Sequence, residues 1–351
     1  MACVAGVLVT MLSETAGLMR VFRASGDPTR AIVLSARALN EFGTALDPAT
    51  VATILDAPGI ARAPDGHPVA DAEILVNTPP AEGFAQGSLD IRGIGARGLA
   101  LRPELRIVAG RMFATGRQEL IVGAAAERAF HFKVGDQVIM PDGEWPIVGA
   151  YTGGGILESQ LLGDAATLMA ATRKVGFGSV VVRLTNPTQF APFERWLASN
   201  PTLAVTAERQ ADYYDRIGGS DTFFRTMAYL VAVIMSIGAL FGAVNILYSA
   251  VRVRTREIAT LRALGYEPLP LAASVIIESM LLSLTGAAAG CTIGWLLFNG
   301  HESVHGAVFH WTITPRLVAL GLTWTLALAV LGSLLPARRA ARLPVSRALQ
   351  E

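Results

Sequence analysis

A glycine motif at residues 93–98, GIGARG, has the G-x-G-x-x-G spacing with which a backbone can approach a pyrophosphate. A dinucleotide site needs this motif between the strand and the helix of a βαβ unit, with an acidic residue about 20 positions later. Pro103 follows the motif closely, and no parallel unit is evident around it. The pattern therefore predicts a turn-rich loop and no nucleotide site.

Three histidines, His301, His305 and His310, lie in one short segment, where an i, i+4 pair on a helix could bind a metal ion. Glycine and aromatic residues interrupt the segment, and Glu302 is its only acidic residue. We interpret these histidines as structural and expect no metal site.

No other pattern predicts catalysis. The sequence has no G-x-x-x-x-G-K-[ST] loop, and its serines, acids and histidines form no recognisable nucleophile–base arrangement. Cys3 and Cys291 lack the spacing of metal ligands. We therefore expect no catalytic residue, no cofactor and no enzymatic activity of this chain by itself. The formal net charge of +1 gives no basic field that would attract a nucleic acid.

The composition indicates a membrane protein. Hydrophobic residues make up 52% of the 351 positions, charged residues make up 16%, and the mean hydropathy is +0.45. A soluble domain averages about a quarter charged residues, and a helix needs about 20 apolar residues to cross a bilayer.

We predict a transmembrane bundle of four helices with a large α+β extracytoplasmic domain between helices 1 and 2. The predicted boundaries are 1–22 for helix 1, 23–222 for the domain, 223–251 for helix 2, 252–270 for a cytoplasmic coupling helix and loop, 271–298 for helix 3, 299–315 for a short extracytoplasmic loop, 316–336 for helix 4 and 337–351 for a cytoplasmic tail.

The first predicted span is the least regular. Its clean apolar run ends at Leu12, and a spanning length requires Glu14 inside it. A secretory signal peptide is the rival interpretation, but no Lys or Arg precedes Arg20. We expect an incomplete first helix, either truncated or lacking upstream residues because the start is misassigned.

Arginines in the short connections predict the orientation. Positive residues concentrate in cytoplasmic loops, and the connection at 299–315 contains no Lys or Arg. The two arginine-rich segments are therefore placed in the cytoplasm, with the domain outside. These arginines are Arg252, Arg254, Arg256 and Arg262 in the loop, and Arg338, Arg339, Arg342 and Arg347 in the tail.

Seven segments of the 23–222 region are strand-like, because they are rich in β-branched residues and bounded by turn residues. They are RAIVLSA, EILVNTP, SLDIRGI, QELIVGA, DQVIMPDGEWPIVGAY with a hairpin turn at PDGEW, SVVVRLT and LAVTAE. Helices are predicted at 48–55, 124–130, 164–172 and 188–197. From about 211 to 225 we expect the chain to become a helix that leads into the second span.

The charged segment RTREIATLRALGY, residues 254–266, lies between two long apolar runs. Ile258, Leu261 and Leu264 recur every three positions, roughly on one face of a short helix. Gly265 is placed to end that helix as its C′ residue. Two interpretations remain open from the residues: a helix that rests on lipid with its arginines near the headgroups, or a helix that docks into a groove of a cytoplasmic partner.

The same segment, with LAASVIIESMLLSLTGAAAGCTIGWLL after it, resembles the FtsX-like permease family of ABC transporters, of the MacB and LolC/LolE type. The tail LLPARRAARLPVSRAL is similar to the closing pattern of the family, and RIVAGRMF, QELIVG, KVGDQVIM and WPIVGAY are similar to its outside domain. The resemblance implies four spans and a dimer of permeases, from identical or different chains, that works with two cytoplasmic ATPase subunits. Because no ATPase motif occurs here, the ATPase is expected on another polypeptide.

In such proteins the cytoplasmic helix couples the permease to the ATPase. Motion generated by ATP then reaches the outside domain through the long helices, and substrate need not cross through the permease. The resemblance implies that the coupling residues are Arg254, Arg256, Glu257, Ile258, Leu261, Arg262, Ala263, Leu264 and Gly265.

Glycines repeat every four positions in two of the predicted spans. Small residues at this spacing let helices approach closely, within one chain or between two. We interpret these positions as helix-packing sites, with incidental glycines as the alternative. They are Gly238 and Gly242 in helix 2, and Gly286, Gly290 and Gly294 in helix 3.

Glu278 is the one acidic residue well inside a predicted span. An intramembrane carboxylate is a candidate functional group by default. We expect water, Arg256 or Arg262 to satisfy it. A part in transmitting motion is the second hypothesis, and proton transport is the third.

The sequence thus predicts a multi-pass permease subunit of the inner (plasma) membrane, embedded in the lipid bilayer. It would serve export or the release of a lipoprotein or other substrate, with an extracytoplasmic adaptor as a further partner. The alternative is a cell-division-type scaffold or signalling protein that regulates an extracytoplasmic hydrolase. A degenerate, nonfunctional permease is a third possibility.

Overall fold

The computed structural model describes residues 1–78, 89–218, 221–304 and 307–341, with side chains described from 225 onward in the third range. The tail arginines Arg342 and Arg347, His305, Pro79 and Ser88 lie outside these residues. The chain groups into two compact units. One is a helix bundle of Met1–Ala16, Asp221–His301 and Trp311–Glu351, and the other is a mixed α and β domain of Gly17–Ser220 and Glu302–His310.

Within the described residues, the domain is built around ten strands that form one sheet. They are β1 (Arg30–Ser35), β2 (Ala70–Thr78), β3 (Leu89–Ile94), β4 (Arg106–Gly110), β5 (Leu120–Gly123), β6 (Gln137–Met140), β7 (Gly143–Thr152), β8 (Leu161–Asp164), β9 (Ser179–Arg183) and β10 (Val205–Arg209). A separate hairpin pairs β11 (Glu302–Val304) with β12 (Val308–His310).

The sheet is mixed and mainly antiparallel. Its order is β10-β1-β9-β2-β3-β8-β5-β7-β4, with β6 pairing to β7 beside this path. Only the β3–β8 and β5–β7 pairs among the described strands are parallel. The predicted hairpin at PDGEW is confirmed, because Met140 lies opposite Gly143 in the β6–β7 ladder.

Two helices of this domain begin at aspartates that cap their first turns. Asp47 caps α2 by accepting the Thr50 N–H at 2.8 Å, and Asp164 caps α5 by accepting the Thr167 N–H at 3.0 Å. The helices are the long α1 (Ala2–Ser25), α2 (Pro48–Leu55), the one-turn α3 (Gly98–Leu101), α4 (Ala124–Phe130), α5 (Ala165–Thr172), α6 (Phe190–Ser199) and α7 (Gln210–Gly218).

Most of the predicted elements of the domain are confirmed. All seven strand-like segments contain a strand, and helices occur at the four predicted places. The helix predicted from about 211 to 225 corresponds to α7, which covers Gln210–Gly218, and to the start of a further helix at Asp221, while residues 219 and 220 lie outside the described residues. Two strands of the sheet, β4 and β8, were not predicted. Every residue of β4 is exposed, so it lacks the half-buried alternation by which strands are recognised.

A buried guanidinium ties several of these strands together. Arg92 on β3 is 2% exposed and donates to both oxygens of Glu41, at 2.7 and 2.9 Å, and to Glu73 on β2 at 2.7 Å. Glu73 also accepts from Arg102, and Glu41 accepts from Ser179 on β9 at 2.7 Å. The charges compensate one another, as a buried ion pair requires.

A second buried carboxylate, Asp71 on β2, lies inside the glycine loop at 93–98. Both of its oxygens accept the Gly95 N–H, at 3.1 and 2.9 Å. A Cβ at Gly95 or Gly98 would collide with this carboxylate, so the glycines are needed for packing. Residues 95–97 of the motif form the turn between β3 and α3. Burial, with Glu73 nearby as a further cause, raises the pKa of Asp71 to about 7.

The raised pKa of Asp71 predicts a pH dependence of stability. The folded state holds a proton on Asp71 that the unfolded chain releases near pH 4, so the folding free energy is lost as the pH rises from about 4 to about 7. This contribution makes the wild type about 2 kcal/mol more stable at pH 5 than at pH 8. We expect the Asp71→Asn variant of the intact chain to lack this contribution, because asparagine does not titrate. Thermal unfolding at both pH values measures this, with exposed Asp65→Asn as the control. A slope equal to that of the wild type would contradict the assignment.

The bundle unit contains helices that are long and apolar enough to cross a membrane. Four such helices occur among the described residues: α1, α8 (Asp221–Val253), α10 (Pro268–Phe298) and α11 (Pro315–Ala341). The short helix α9 (Thr255–Ala263) connects α8 to α10. The third span thus begins three residues before the predicted start at 271. Proline is tolerated in the first turn of a helix, because the N–H groups there have no intrahelical partner.

Polar side chains connect the helices of the bundle. Ser279 and Ser283 on α10 donate to the Ala329 and Thr325 carbonyls of α11, at 3.3 and 3.1 Å. Trp324 on α11 donates through its indole N–H to the hydroxyl of Ser236 on α8 at 2.9 Å. Hydrogen bonds of this kind join helices in lipid, where burial of apolar surface gives little driving force.

The two sets of repeated glycines have different surroundings. On α10, Gly290 packs on the backbone of Ala2 on α1, and a Cβ at Gly290 would lie 2.7 Å from the Ala2 carbonyl carbon. A Cβ at Gly6 of α1 would lie 3.0 Å from the Gly290 oxygen, so the two backbones touch. On α8, no described atom lies within 4 Å of a Cβ built at Gly238 or Gly242.

A matched pair of alanine substitutions tests the α1–α10 contact. We expect Gly290→Ala to lower the stability of the chain by about 1–3 kcal/mol, because the added methyl group meets backbone that cannot rotate away. Gly238→Ala should leave stability unchanged or raise it by up to about 1 kcal/mol, because alanine favours a helix and the space there is open. Thermal denaturation in lipid nanodiscs measures both. Equal shifts for the two variants would contradict the contact.

Candidate coupling site

The site is built on α9, which follows α8 after a single non-helical residue. Arg254 has φ −94° and ψ 15° and breaks the helix, while its carbonyl accepts the Ile258 N–H at 3.0 Å and begins α9. The Thr255 hydroxyl donates back to the carbonyls of Val251 and Arg252, at 3.1 and 2.7 Å. These are carbonyls that the end of α8 would otherwise leave unpaired.

Glycine ends α9 as predicted from the sequence. Gly265 has φ +94°, a left-handed conformation that a side chain would strain. The Tyr266 N–H donates to the Leu261 carbonyl and the Gly265 N–H donates to the Arg262 carbonyl, both at 3.1 Å. This is the Schellman pattern, so the C′ position of Gly265 is confirmed. Glu267 and Pro268 then start α10 at once.

An ion pair connects the start of α9 to α10. Arg254 donates through Nη1 to both carboxylate oxygens of Glu278, at 3.0 and 3.3 Å. The side chains are 54% and 43% exposed, so the pair can contribute about 1 kcal/mol at most. The prediction that water, Arg256 or Arg262 satisfies Glu278 missed the residue that the structure places beside it.

A second contact connects the end of α9 to α11. Arg262 donates through Nη1 to the carbonyl of Ala341, the last described residue of α11, at 3.0 Å. Nearby, the guanidinium of Arg339 on α11 lies 5.4 Å from the ring centre of Tyr248 on α8. One short helix is therefore tied to two long helices by arginines at its opposite ends.

The predicted apolar face of α9 divides between two surroundings. Ile258 and Leu261 line a cleft of about 140 Å³ that α9 forms with the end of α8 and the start of α10. Ala259 is buried, whereas Leu264 is 73% exposed. Leu269, in the first turn of α10, is 76% exposed. The exposed apolar surface of this site thus lies beyond the C-terminal end of α9.

The remaining predicted coupling residues occupy the polar side of the site. Arg256 and Ala263 are exposed on α9, and Glu257 is an exposed residue at the edge of the cleft. Sequence reasoning missed the exposed leucine at 269 because it was assigned to a loop. The two prolines around it were the signal for a helix N-terminus.

The other motifs take part in internal contacts. His310 lies 3.6 Å from Glu302, which also accepts from Arg128 at 3.0 Å. Among the described residues, no group of three or more His, Cys, Asp or Glu side chains is arranged to hold a metal ion. The glycines after Thr152 donate from Gly153 and Gly154 to Glu158, at 3.1 and 3.0 Å.

Comparison with known families identifies the part of the chain that contains this site. Residues 229–345 match the model of the FtsX-like permease C-terminal domain. This stretch is an FtsX-like permease domain. It includes α9, both of its arginine contacts, most of α8 and all of α10 and α11.

Two curated relatives are similar to part of this chain. The uncharacterized ABC transporter permease YknZ of Bacillus subtilis (strain 168) is 29% identical over 38% of this chain and 33% of its own length. The macrolide export ATP-binding/permease protein MacB of Nitrosomonas europaea is 31% identical over 35% of this chain and 18% of its own length. The matched stretch thus spans a third or less of either relative.

A solved structure aligns with part of the chain. The periplasmic region of MacB from Actinobacillus actinomycetemcomitans aligns with a TM-score of 0.40 and 13% identity, over 55% of this chain and 94% of that structure. The resemblance to the family that the sequence motifs indicated is confirmed by the domain match and by the relatives of the FtsX-like permease domain.

The Arg254–Glu278 pair predicts a local change in α9 when its acceptor is neutralised. We expect Glu278→Gln to raise amide exchange in peptides that cover 255–263 by up to about fivefold, since about 1 kcal/mol of local stabilisation is lost. Hydrogen–deuterium exchange of the protein in nanodiscs measures this. Glu267→Gln, in the same connection but capping no helix N–H through its side chain, is the control. Identical exchange in the two variants would show that the pair does not hold α9.

Proposed function

We propose that this chain is the permease subunit of an ABC transporter of the MacB and FtsX kind, and that α9 is the helix on which a cytoplasmic ATPase acts. The observation that carries the proposal is the match of residues 229–345 to an FtsX-like permease domain, with α9 held at both ends inside it. The relatives support it, since one is an ABC transporter permease and the other is a macrolide export ATP-binding/permease protein.

The contacts of α9 suggest how motion would pass through the chain. A force on α9 acts on α10 through Arg254 and Glu278, and on the end of α11 through Arg262. Helices of 31 and 27 residues can carry a displacement along their length, and Pro336 removes one backbone hydrogen bond within the second of them. In this proposal the displacement drives export, or release of a lipoprotein or another substrate, outside the cell membrane.

The proposed assembly has further components that follow from the same reasoning. The arginine distribution favours α9 in the cytoplasm and the α and β domain outside an inner (plasma) membrane. A second permease copy would complete the complex, and the open faces at Gly238 and Gly242 are the places where another helix could approach closely. The ATPase, and an extracytoplasmic adaptor, would be separate chains.

A pull-down from native membranes tests the proposal. Ile258 and Leu261 are poor positions for the disrupting substitution, because they line the cleft inside the chain. Leu264→Asp with Leu269→Asp places charges on the exposed apolar surface instead. We expect a P-loop ATPase to co-purify with the tagged wild type and at least tenfold less of it with the double variant, since burying a carboxylate at an interface is costly.

The control variant is Val175→Asp, an equally drastic change at a residue that is 88% exposed on the other unit. It should retain the ATPase. If no ATPase accompanies well-folded wild type, or if the double variant retains it fully, α9 is not a docking helix. Capture of a wall hydrolase or its activator without an ATPase would favour the scaffold alternative.

A further inference from the structure

The α and β domain contains a cavity that none of the contacts described above fills. Its volume is about 260 Å³. An apolar cavity of about 150 Å³ is large enough to bind benzene. This cavity could therefore hold one ring with a short substituent. Its location, among side chains of α1, α7, β2 and β3 within one compact unit, is independent of the coupling site and of the function proposed for it.

The walls of the cavity are mainly apolar and aromatic. Tyr213 and Tyr214 on α7 pack edge to face with ring centres 5.3 Å apart, and Phe22 lies 6.3 Å from Tyr214. Rigid rings of this kind give a preformed apolar surface at little cost in side-chain entropy. The principal apolar lining residues are Phe22, Phe42, Leu75, Ile156, Tyr213 and Tyr214.

One polar group in the lining has an unused hydrogen-bond donor. Gln160 is 1% exposed, and its Oε1 accepts the Arg92 Nε–H at 2.8 Å. This bond fixes which end of the amide faces the guanidinium. The other end, Nε2, has no hydrogen-bond partner in the protein. Because a buried N–H without an acceptor is costly, this group marks a place where an acceptor from outside the chain would bind.

The charges in the lining restrict what that acceptor can be. Arg92 already donates to Glu41, Glu73 and Gln160, so its guanidinium is occupied. Glu41 and Asp90 place two carboxyl groups in the lining, and burial raises the pKa of Asp90. An anion entering here would meet these carboxyl groups without a free cation among the described lining residues to offset them. A neutral acceptor such as an amide or a hydroxyl avoids this cost.

We propose that this cavity binds a small neutral amphiphile, about the size of one ring with a short polar chain, whose hydrogen-bond acceptor takes the free N–H of Gln160. The ring lies against the tyrosines and Phe22. The site discriminates against the corresponding anion because the polar part of its lining carries Glu41 and Asp90.

The test uses the intact chain in lipid nanodiscs and two probes of the same shape. One is 3-phenylpropanamide, which is neutral, and the other is 3-phenylpropionate, which is an anion at pH 7.5. Isothermal titration, with empty nanodiscs subtracted, should show saturable binding of the amide that is at least tenfold tighter than binding of the carboxylate.

Two variants separate recognition from folding. Gln160→Glu keeps an acceptor for Arg92 and replaces the free donor by an oxygen, so affinity for the amide should fall at least tenfold. Ile217→Trp fills part of the cavity from α7 without touching the polar groups, and should also remove binding. Gln137→Glu, the same change at an exposed position on β6, is the matched control and should bind like the wild type.

Three results would overturn the proposal. The first is no saturable binding of the amide to the wild type, which would mean that only water occupies the cavity. The second is equal affinity for the amide and the carboxylate. The third is unchanged binding by the folded Ile217→Trp and Gln160→Glu variants, which would place the probe elsewhere. Unfolding temperatures of all variants establish that the comparison is between folded proteins.

Discussion

The connection between α8 and α10 in the permease domain depends on how the nine-residue helix α9 is held in place. Helices shorter than about 12 residues are marginal in water on their own hydrogen bonds. The helix α9 buries Ala259 and lines a cleft with Ile258 and Leu261, and contacts at its two ends add to this packing. Arg254 and Arg262 reach different long helices, and the turn at Gly265 fixes the path between them. Two contacts at separate points define a direction, whereas one would leave the helix free to pivot.

The ion pair at the start of α9 is weak by the standards of protein stability. A half-exposed pair contributes about 1 kcal/mol or less, so its geometry can change at small cost. The buried cluster around Arg92 is the opposite case. There, removal of one partner would leave an uncompensated buried charge at a cost of about 3–5 kcal/mol. The α and β domain is thus rigid at its centre, while the coupling site is held by contacts that can yield.

Sequence patterns predicted the elements better than the contacts between them. Eight strands, in seven predicted segments, four helices of the domain and the C′ role of Gly265 follow from local residue preferences, and all appear in the structure. The exposed strand β4 had no such pattern. The partner of Glu278 could not be chosen from sequence, because three arginines lie within nine positions and only the break at Arg254 decides which one points toward α10. Likewise, nothing local indicates that Arg92, Glu41 and Glu73 converge.

The repeated glycines show the same limit most clearly. Gly238 with Gly242 and Gly286 with Gly290 have identical spacing, and the spacing says only that another backbone can come close. For Gly290 that backbone is α1 of the same chain, in contact at Ala2. For the α8 pair, the described chain supplies no such neighbour within 4 Å. The glycine face of α10 is therefore covered by α1, whereas the described chain leaves the glycine face of α8 uncovered. Of these two pairs, only the α8 pair leaves space for lipid or a second protein. Equal motifs therefore carry unequal evidence for assembly, and the difference depends on tertiary contacts that the motif itself does not encode.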